Sequence, residues 1–313
     1  MPIDTGLIFL SLALLFYGGD FLVTGSINLS KRFKVSPFFI GAVIIGFGTS
    51  APEFAVSIMA SLNGSGDLAL ANIIGSNITN VGLVLGTTAL ISPLTIESRQ
   101  FNKETPALII ATFLICVFAW NNYLSRLEGI IMIILLFFYL LKSFKSNEQI
   151  SNNIEENSSF LDTKRPPFQF FLTIVGIVML IIGANLMVQG ATSIARSIGI
   201  SEWFIGVSIV ALGTSLPEIV SSVIAAKRGH GDMAIGNVFG SNIFNILMVI
   251  GVASSIHPIA INASIHADLL YTTSLTCLLL FLLGTRHTIK KRDGIILILC
   301  YVVYICLKAL NFL

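Results

Sequence analysis

Gly48-Thr49-Ser50-Ala51-Pro52-Glu53 recurs as Gly213-Thr214-Ser215-Leu216-Pro217-Glu218, 165 residues further on and again inside a long apolar run. Each copy places a carboxylate where a bilayer opposes one. An ionisable side chain at membrane depth costs at least ~2.5 kcal/mol, so such residues mark ion paths, relays or ligand sites. The prolines point the same way. Pro52 and Pro217 have no N–H to give the carbonyls of Gly48 and Gly213, and their rings push those carbonyls aside, which frees backbone oxygens beside side-chain oxygens.

Of the 313 residues, 55% are hydrophobic and 11% charged, and the mean hydropathy is +0.89. That composition excludes an ordinary soluble domain and indicates an integral membrane protein. A spanning helix needs about 20 apolar residues. Ten stretches qualify: 6–30, 37–62, 68–96, 105–121, 127–142, 167–195, 202–227, 232–256, 265–284 and 293–311. The first lacks a positive leader and is too long for a signal-peptide core, so it reads as a span. With the N-terminus outside, fifteen of the eighteen basic residues fall in inward loops and only Arg126, Arg196 and Lys308 face out. The positive-inside rule therefore places both termini outside the cell (inner) membrane and the polar segment 142–166 in the cytoplasm. That segment is rich in Asn, Ser and Glu and has no core of its own.

Laid on itself at an offset of 165, the chain aligns Phe39 to Pro93 with Phe204 to Pro258 without a gap, and close to half the positions are identical. The match reaches outward to Gly18 with Gly183, Gly25 with Gly190, and Arg126-x-Glu128-Gly129 with Lys291-x-Asp293-Gly294. The repeat thus contains five helices, and an odd number sends the second copy into the membrane from the opposite side. The expected fold is all-α: ten transmembrane helices in two inverted five-helix repeats, 1–141 and 167–313, joined by the 142–166 linker, with discontinuous helices at the centre. Secondary transporters are commonly built this way and bind their substrates near the midplane.

On a helix, residues four apart share a face. Thr49 then presents with Glu53, and Thr214 with Glu218. A second repeated motif, Gly75-Ser76-Asn77-Ile78-x-Asn80 and Gly240-Ser241-Asn242-Ile243-x-Asn245, does the same with Ser76 and Asn80, and with Ser241 and Asn245. These are hard oxygen donors, suited to Ca²⁺ or Na⁺ rather than zinc or copper. Two carboxylates brought together repel or share a proton, and a dehydrated divalent cation between them removes that conflict. Cys116, Cys277, Cys300 and Cys306 lie in apolar segments without C-x-x-C spacing, and the four histidines form no ligand pair. A serine protease using Ser50 or Ser215 lacks a His or Lys base at that depth, so the chain is not read as an enzyme. The repeated glycines, among them Gly46, Gly75, Gly236 and Gly240, are expected to let helices approach closely. Asp67 and Asp232 are expected to cap the helices that follow them. Asp20, aligned with Asn185, is open to a structural or an ionic role.

The two G-T-S-x-P-E motifs, the two G-S-N-I-x-N motifs, the ten spans and the central linker resemble the sodium/calcium exchanger family of the calcium/cation antiporters, in its compact prokaryotic form. The resemblance implies electrogenic exchange of Na⁺ for Ca²⁺ by alternating access. It implies a central calcium site of Glu53, Glu218, Thr49 and Thr214, and two flanking sodium sites. One uses the carbonyl of Gly46 with Thr49, Ser76 and Glu53; the other uses that of Ala211 with Thr214, Ser241 and Glu218. Ser50, Ser215, Asn80 and Asn245 match further motif positions, and the helices at 6–30 and 167–195 are implied to slide across the rest. Several exchangers of the family carry Asp where this chain has Asn245. A Ca²⁺/H⁺ or other divalent cation antiporter is therefore the alternative. The implied partners are the transported ions and the lipid bilayer, with no cofactor, no nucleic acid and a monomer sufficient for function.

Overall fold

A computed structural model describes residues 2–147, 166–199, 211–261 and 264–310. The first copy of the repeat folds into α1 (Pro2–Phe33), α2 (Pro37–Thr49), α3 (Ala51–Leu62), α4 (Gly66–Ile91), α5 (Ser98–Phe118) and α6 (Arg126–Asn147). The second folds into α7 (Pro166–Ser197), α8 (Ala211–Thr214), α9 (Leu216–Lys227), α10 (Gly231–Ile256), α11 (Ser264–Arg286) and α12 (Lys291–Ala309). Among the described residues seven helices are long and apolar enough to cross a membrane, or eight when the bent pair α2 and α3 counts as one span. The difference from the ten expected lies in two places. Residues 202–210 of the expected span 202–227 fall outside the described residues, and α12 carries Lys291, Arg292, Asp293 and Lys308. Helix α6 also runs five residues past the expected start of the linker, of which 148–165 lie outside the described residues.

The backbone obeys the repeat as closely as the sequence does. Among the described residues, those with positive φ form three pairs 165 apart: Lys34 (53°) with Gly199 (82°), Gly64 (76°) with Gly229 (82°), and Asn122 (61°) with His287 (51°). Gly64 and Gly229 turn α3 into α4 and α9 into α10 through a left-handed conformation that a Cβ opposes. Ser92 and His257 end α4 and α10 in extended conformation, which the following Pro93 and Pro258 favour. Strand β1 (Leu94–Thr95) pairs antiparallel with β4 (Thr288–Ile289), and β2 (Tyr123–Leu124) with β3 (Ile259–Ala260). The offset maps β1 onto β3 and β2 onto β4, so each pairing joins the two copies and is the image of the other. Asp67 and Asp232 are not the capping residues; Ser65 and His230 are. The two carboxylates sit one residue inside their helices, where they accept the next N–H (Leu68 and Met233, 2.9 Å each) and favour the positive helix end.

Helix α10 is the centre of the molecule. Of its most apolar 18 residues 89% are buried, against 33% for α1 and for α7. α2 crosses α10 at backbone contact: a Cβ on Gly236 would overlap the carbonyl of Phe38, and one on Gly240 that of Ala42. The Phe38 and Phe239 rings meet edge-on at 5.7 Å beside this crossing. Gly75, the repeat counterpart of Gly240, makes no such approach among the described residues.

Helices α1 and α7 pack chiefly on one another, antiparallel. A Cβ on Gly18 would lie 2.8 Å from that of Met179, and Asn28 donates to Gln169 Oε1 at 3.2 Å. Their seating on the core is unequal. α1 lies along α9, with Gly19 against Val220 and Ile224, whereas α7 makes no comparable packing against α3. Met59 on α3 is accordingly 58% exposed, while its counterpart Ile224 is partly buried. Asp20 on α1 forms an ion pair with Arg228 at the end of α9, and Arg228 also donates to Thr24 Oγ1 at 2.6 Å. This gives Asp20 an ion-paired role; the counterparts, Asn185 and Asn63, carry no charge. Burial, with Lys31 and Arg228 nearby, holds His230 below the usual histidine range, so the 31–34 and 227–230 turns share one face of the protein.

The α2–α10 crossing makes a direct prediction. Gly240→Val should destabilise the detergent-solubilised protein by roughly 3 kcal/mol or more, since overpacking that displaces backbone is the costliest kind. Gly284→Ala, whose Cβ would meet Phe101 at an ordinary 3.6 Å, should leave the thermal unfolding midpoint within a degree or two of wild type.

Candidate cation site

The helix breaks put the candidate ligands in place. α2 and α3 meet at a 48° bend. At the break Ser50 has φ −81°, ψ 6°, and between α8 and α9 Ser215 has φ −91°, ψ 2°. Neither residue is helical. Pro52 and Pro217 each lie in the first turn of the restarted helix, where a missing N–H costs nothing. Glu53 and Glu218 follow directly, at helix N-termini that favour negative charge. The ladder resumes with Phe54 N–H to Ser50 O and Ile219 N–H to Ser215 O, both 3.0 Å. Three π-helical segments surround the breaks: Gly41–Ile45 in α2, Asn80–Leu85 in α4 and Asn245–Ile250 in α10. The last two open on the motif asparagines, and such segments tend to accompany functional sites.

Glu53, Glu218, Thr49, Ser50, Ser215, Ser76, Ser241, Asn80 and Asn245 are all buried; Thr214 is half-buried, and Ala211 opens α8. The Glu218 carboxylate is faced by Glu53, Thr49 and Ser50 of the other copy. Thr49 Oγ1 donates back to Ile45 O at 3.0 Å and lies 3.4 Å from Asn237 Oδ1. The Gly46 carbonyl accepts from Ser50 N–H and from Ser241 Oγ, each at 3.2 Å. Ser241 reaches the Gly46 carbonyl because α2 crosses the α10 of the opposite copy. Of the eight buried side-chain oxygens without a hydrogen-bond partner among the described residues, four lie in the repeated motifs: Glu53 Oε2, Glu218 Oε2, Ser50 Oγ and Asn245 Oδ1. Together they represent both copies.

An unpartnered buried polar atom is costly, and an unpartnered buried charge more so. Oxygens of this kind, two of them from carboxylates, suit a hard cation as the missing partner. Among the described residues no three His, Cys, Asp or Glu side chains cluster, so the remaining donors are neutral oxygens.

Two further asparagine pairs were not assigned roles from the sequence. Asn72 donates to Ser57 Oγ (3.0 Å) and Glu53 O (3.5 Å); its counterpart Asn237 donates to Ser222 Oγ (2.9 Å) and Glu218 O (3.5 Å). They tie each glutamate-bearing turn to the helix that carries the second motif. Asn77 and Asn242 bind across the copies to Asn245 and Asn80 (3.0 and 3.1 Å). All four lie at identical positions of the repeat, and that identity at buried polar sites was the available signal.

A model of the sodium/calcium exchanger protein family matches the chain twice, at residues 3–145 and 168–310. The two matches are themselves offset by 165. The sodium/calcium exchanger MaX1 of Methanosarcina acetivorans is 31% identical over 340 residues, covering 96% of each chain. The inner membrane protein YrbG of Escherichia coli is 32% identical over 264 residues, covering 82% of this chain and 81% of its own. A solved structure of the sodium-calcium exchanger NCX_Mj superposes with a TM-score of 0.84 at 35% identity, covering 98% of this chain and 99% of that one. With an all-α membrane fold shared with a transporter over nearly its whole length and the family match in both halves, this chain belongs to the sodium/calcium exchanger family.

Proposed function

We propose that the protein is a secondary antiporter that exchanges Na⁺ for Ca²⁺ by alternating access, with Glu53 and Glu218 as shared ligands of one central site. The observation that carries this reading is the set of four unpartnered oxygens drawn from both copies. Thr49, Thr214, Ser76, Ser241, Asn80, Asn245, Ser50 and Ser215, with the carbonyls of Gly46 and Ala211, supply the neutral positions around it. The names of MaX1 and NCX_Mj support sodium and calcium as the ions. Ten spans in two inverted repeats joined by the cytoplasmic 142–166 linker, both termini outside the inner membrane, follow from the loop charges and the odd helix count. A monomer holds the whole site, and transport needs no cofactor. Asn245 keeps a second reading open, in which protons or another ion replace sodium as the coupling ion.

The unequal seating of α1 and α7 fits one end of the alternating cycle. In this reading the path from the cytoplasm is sealed by α1 on α9 and by the Asp20–Arg228 pair, and the outer path runs past Met59 on α3. α1 and α7 then move together across the core, closing α7 onto α3 and parting α1 from α9.

Two measurements test these proposals. Reconstituted protein loaded with Na⁺ should take up ⁴⁵Ca²⁺ down the sodium gradient, and Glu53→Ala or Glu218→Ala should lower the rate at least a hundredfold; uptake driven by a pH gradient and indifferent to sodium would favour the second reading. In a background with the four cysteines replaced, Met59→Cys should react with an impermeant maleimide from outside. Adding Arg228→Gln should slow that reaction several-fold as the population moves inward, and an unchanged rate would remove the ion pair from the gating scheme.

A further inference from the structure

Asn77 and Asn242 form a closed, reciprocal set of hydrogen bonds across the two copies. Asn77 Nδ2 donates to the Asn242 carbonyl at 3.4 Å, and Asn242 Nδ2 donates to the Asn77 carbonyl at 3.5 Å. Each side-chain oxygen then accepts from a motif asparagine of the other copy: Asn77 Oδ1 from Asn245 Nδ2 at 3.0 Å, and Asn242 Oδ1 from Asn80 Nδ2 at 3.1 Å. All four side chains are at most 2% exposed. The network fixes which end of each amide is which. Turning Asn245 over would set its oxygen against Asn77 Oδ1, acceptor on acceptor, while Asn77 Nδ2 is already committed to the Asn242 carbonyl. The Asn245 amide therefore keeps its nitrogen in the clamp and its oxygen outside it, and that oxygen is one of the four motif oxygens without a partner.

We propose that Asn77 and Asn242 are the positioning residues of the central site. They hold Asn245 and Asn80 so that each presents a neutral oxygen, and never an N–H, to the transported cation. The clamp also selects for a neutral group. A group at 245 or 80 must donate to it on one side and present an oxygen on the other, which an ionised carboxylate does not do, so the middle of the site is kept at the charge of the two glutamates alone. The proposal rests on the reading of the site as a Ca²⁺ site. Because the clamp joins α4 to α10, it also makes the donors of both copies one rigid set, which limits how far they can adapt to a cation of another size.

Equilibrium binding of ⁴⁵Ca²⁺ to the purified protein in nanodiscs, alongside exchange kinetics, tests the assignment. Asn77→Ala should raise the half-saturating Ca²⁺ concentration about tenfold while leaving the maximal exchange rate within about threefold. Asn245→Ala should raise it at least as far, and the double variant no further than Asn245→Ala alone, since nothing remains to be positioned. Additive losses in the double variant, or an unchanged half-saturation in Asn77→Ala, would overturn the proposal. Should Asn77→Ala fail to fold, Asn242→Ala with Asn80→Ala closes the same cycle on the other copy. Absence of saturable Ca²⁺ binding by the unaltered protein would instead count against the calcium site itself, which separates the two failures.

Discussion

Oxygen atoms buried in a hydrocarbon slab must be satisfied from within the protein or by what it carries. The architecture around the cluster serves that requirement. Prolines interrupt two helices beside the carboxylates, so that Glu53 and Glu218 stand at helix starts rather than along an unbroken wall. The Gly236 and Gly240 contacts bring α2 onto the backbone of α10, which sets Gly46 and Thr49 against Ser241 and Asn237 of the other copy. Without that approach each copy would hold half a ligand set, and a lone buried carboxylate would have no reason to ionise.

Much of this was legible in the chain because the repeat writes each informative residue twice. Glu53 and Glu218 announce themselves through their apolar surroundings, and the family through motifs at a fixed spacing. Positions of contact were less legible. That Gly46 meets Ser241 follows from a crossing between copies, which a pattern along one helix does not encode. Gly240 lies against the backbone of Ala42 in the other copy, a contact that the spacing of its own motif does not encode. Asp20 was ambiguous for the same reason: its partner Arg228 lies in the other copy, 208 residues away. Asn77 and Asn242 were visible but mute, since an asparagine in a motif does not reveal whether it binds the ion or another asparagine.

The site also distinguishes two ways of using a polar side chain in a membrane. Asn72, Asn237, Asn77 and Asn242 spend their hydrogen bonds on other protein groups and so hold the frame rigid. Glu53, Glu218, Ser50 and Asn245 keep an oxygen in reserve. The first group makes the second tolerable, because a buried donor set that is free to relax would collapse onto its own N–H groups.

In the alternating cycle proposed above, the pairing of Asp20 with Arg228, where the other copy has Asn185 and Asn63, bears on the energetics of the whole cycle. A chain of two identical, oppositely inserted halves would have two resting states related by a two-fold axis in the membrane plane and, in the same solution on both sides, equal in free energy. Whatever preference such a protein has for one side of the membrane must come from positions where its halves disagree. Evolution can therefore tune the resting population by single substitutions at the rim while the ligands, held identical in both halves, stay untouched.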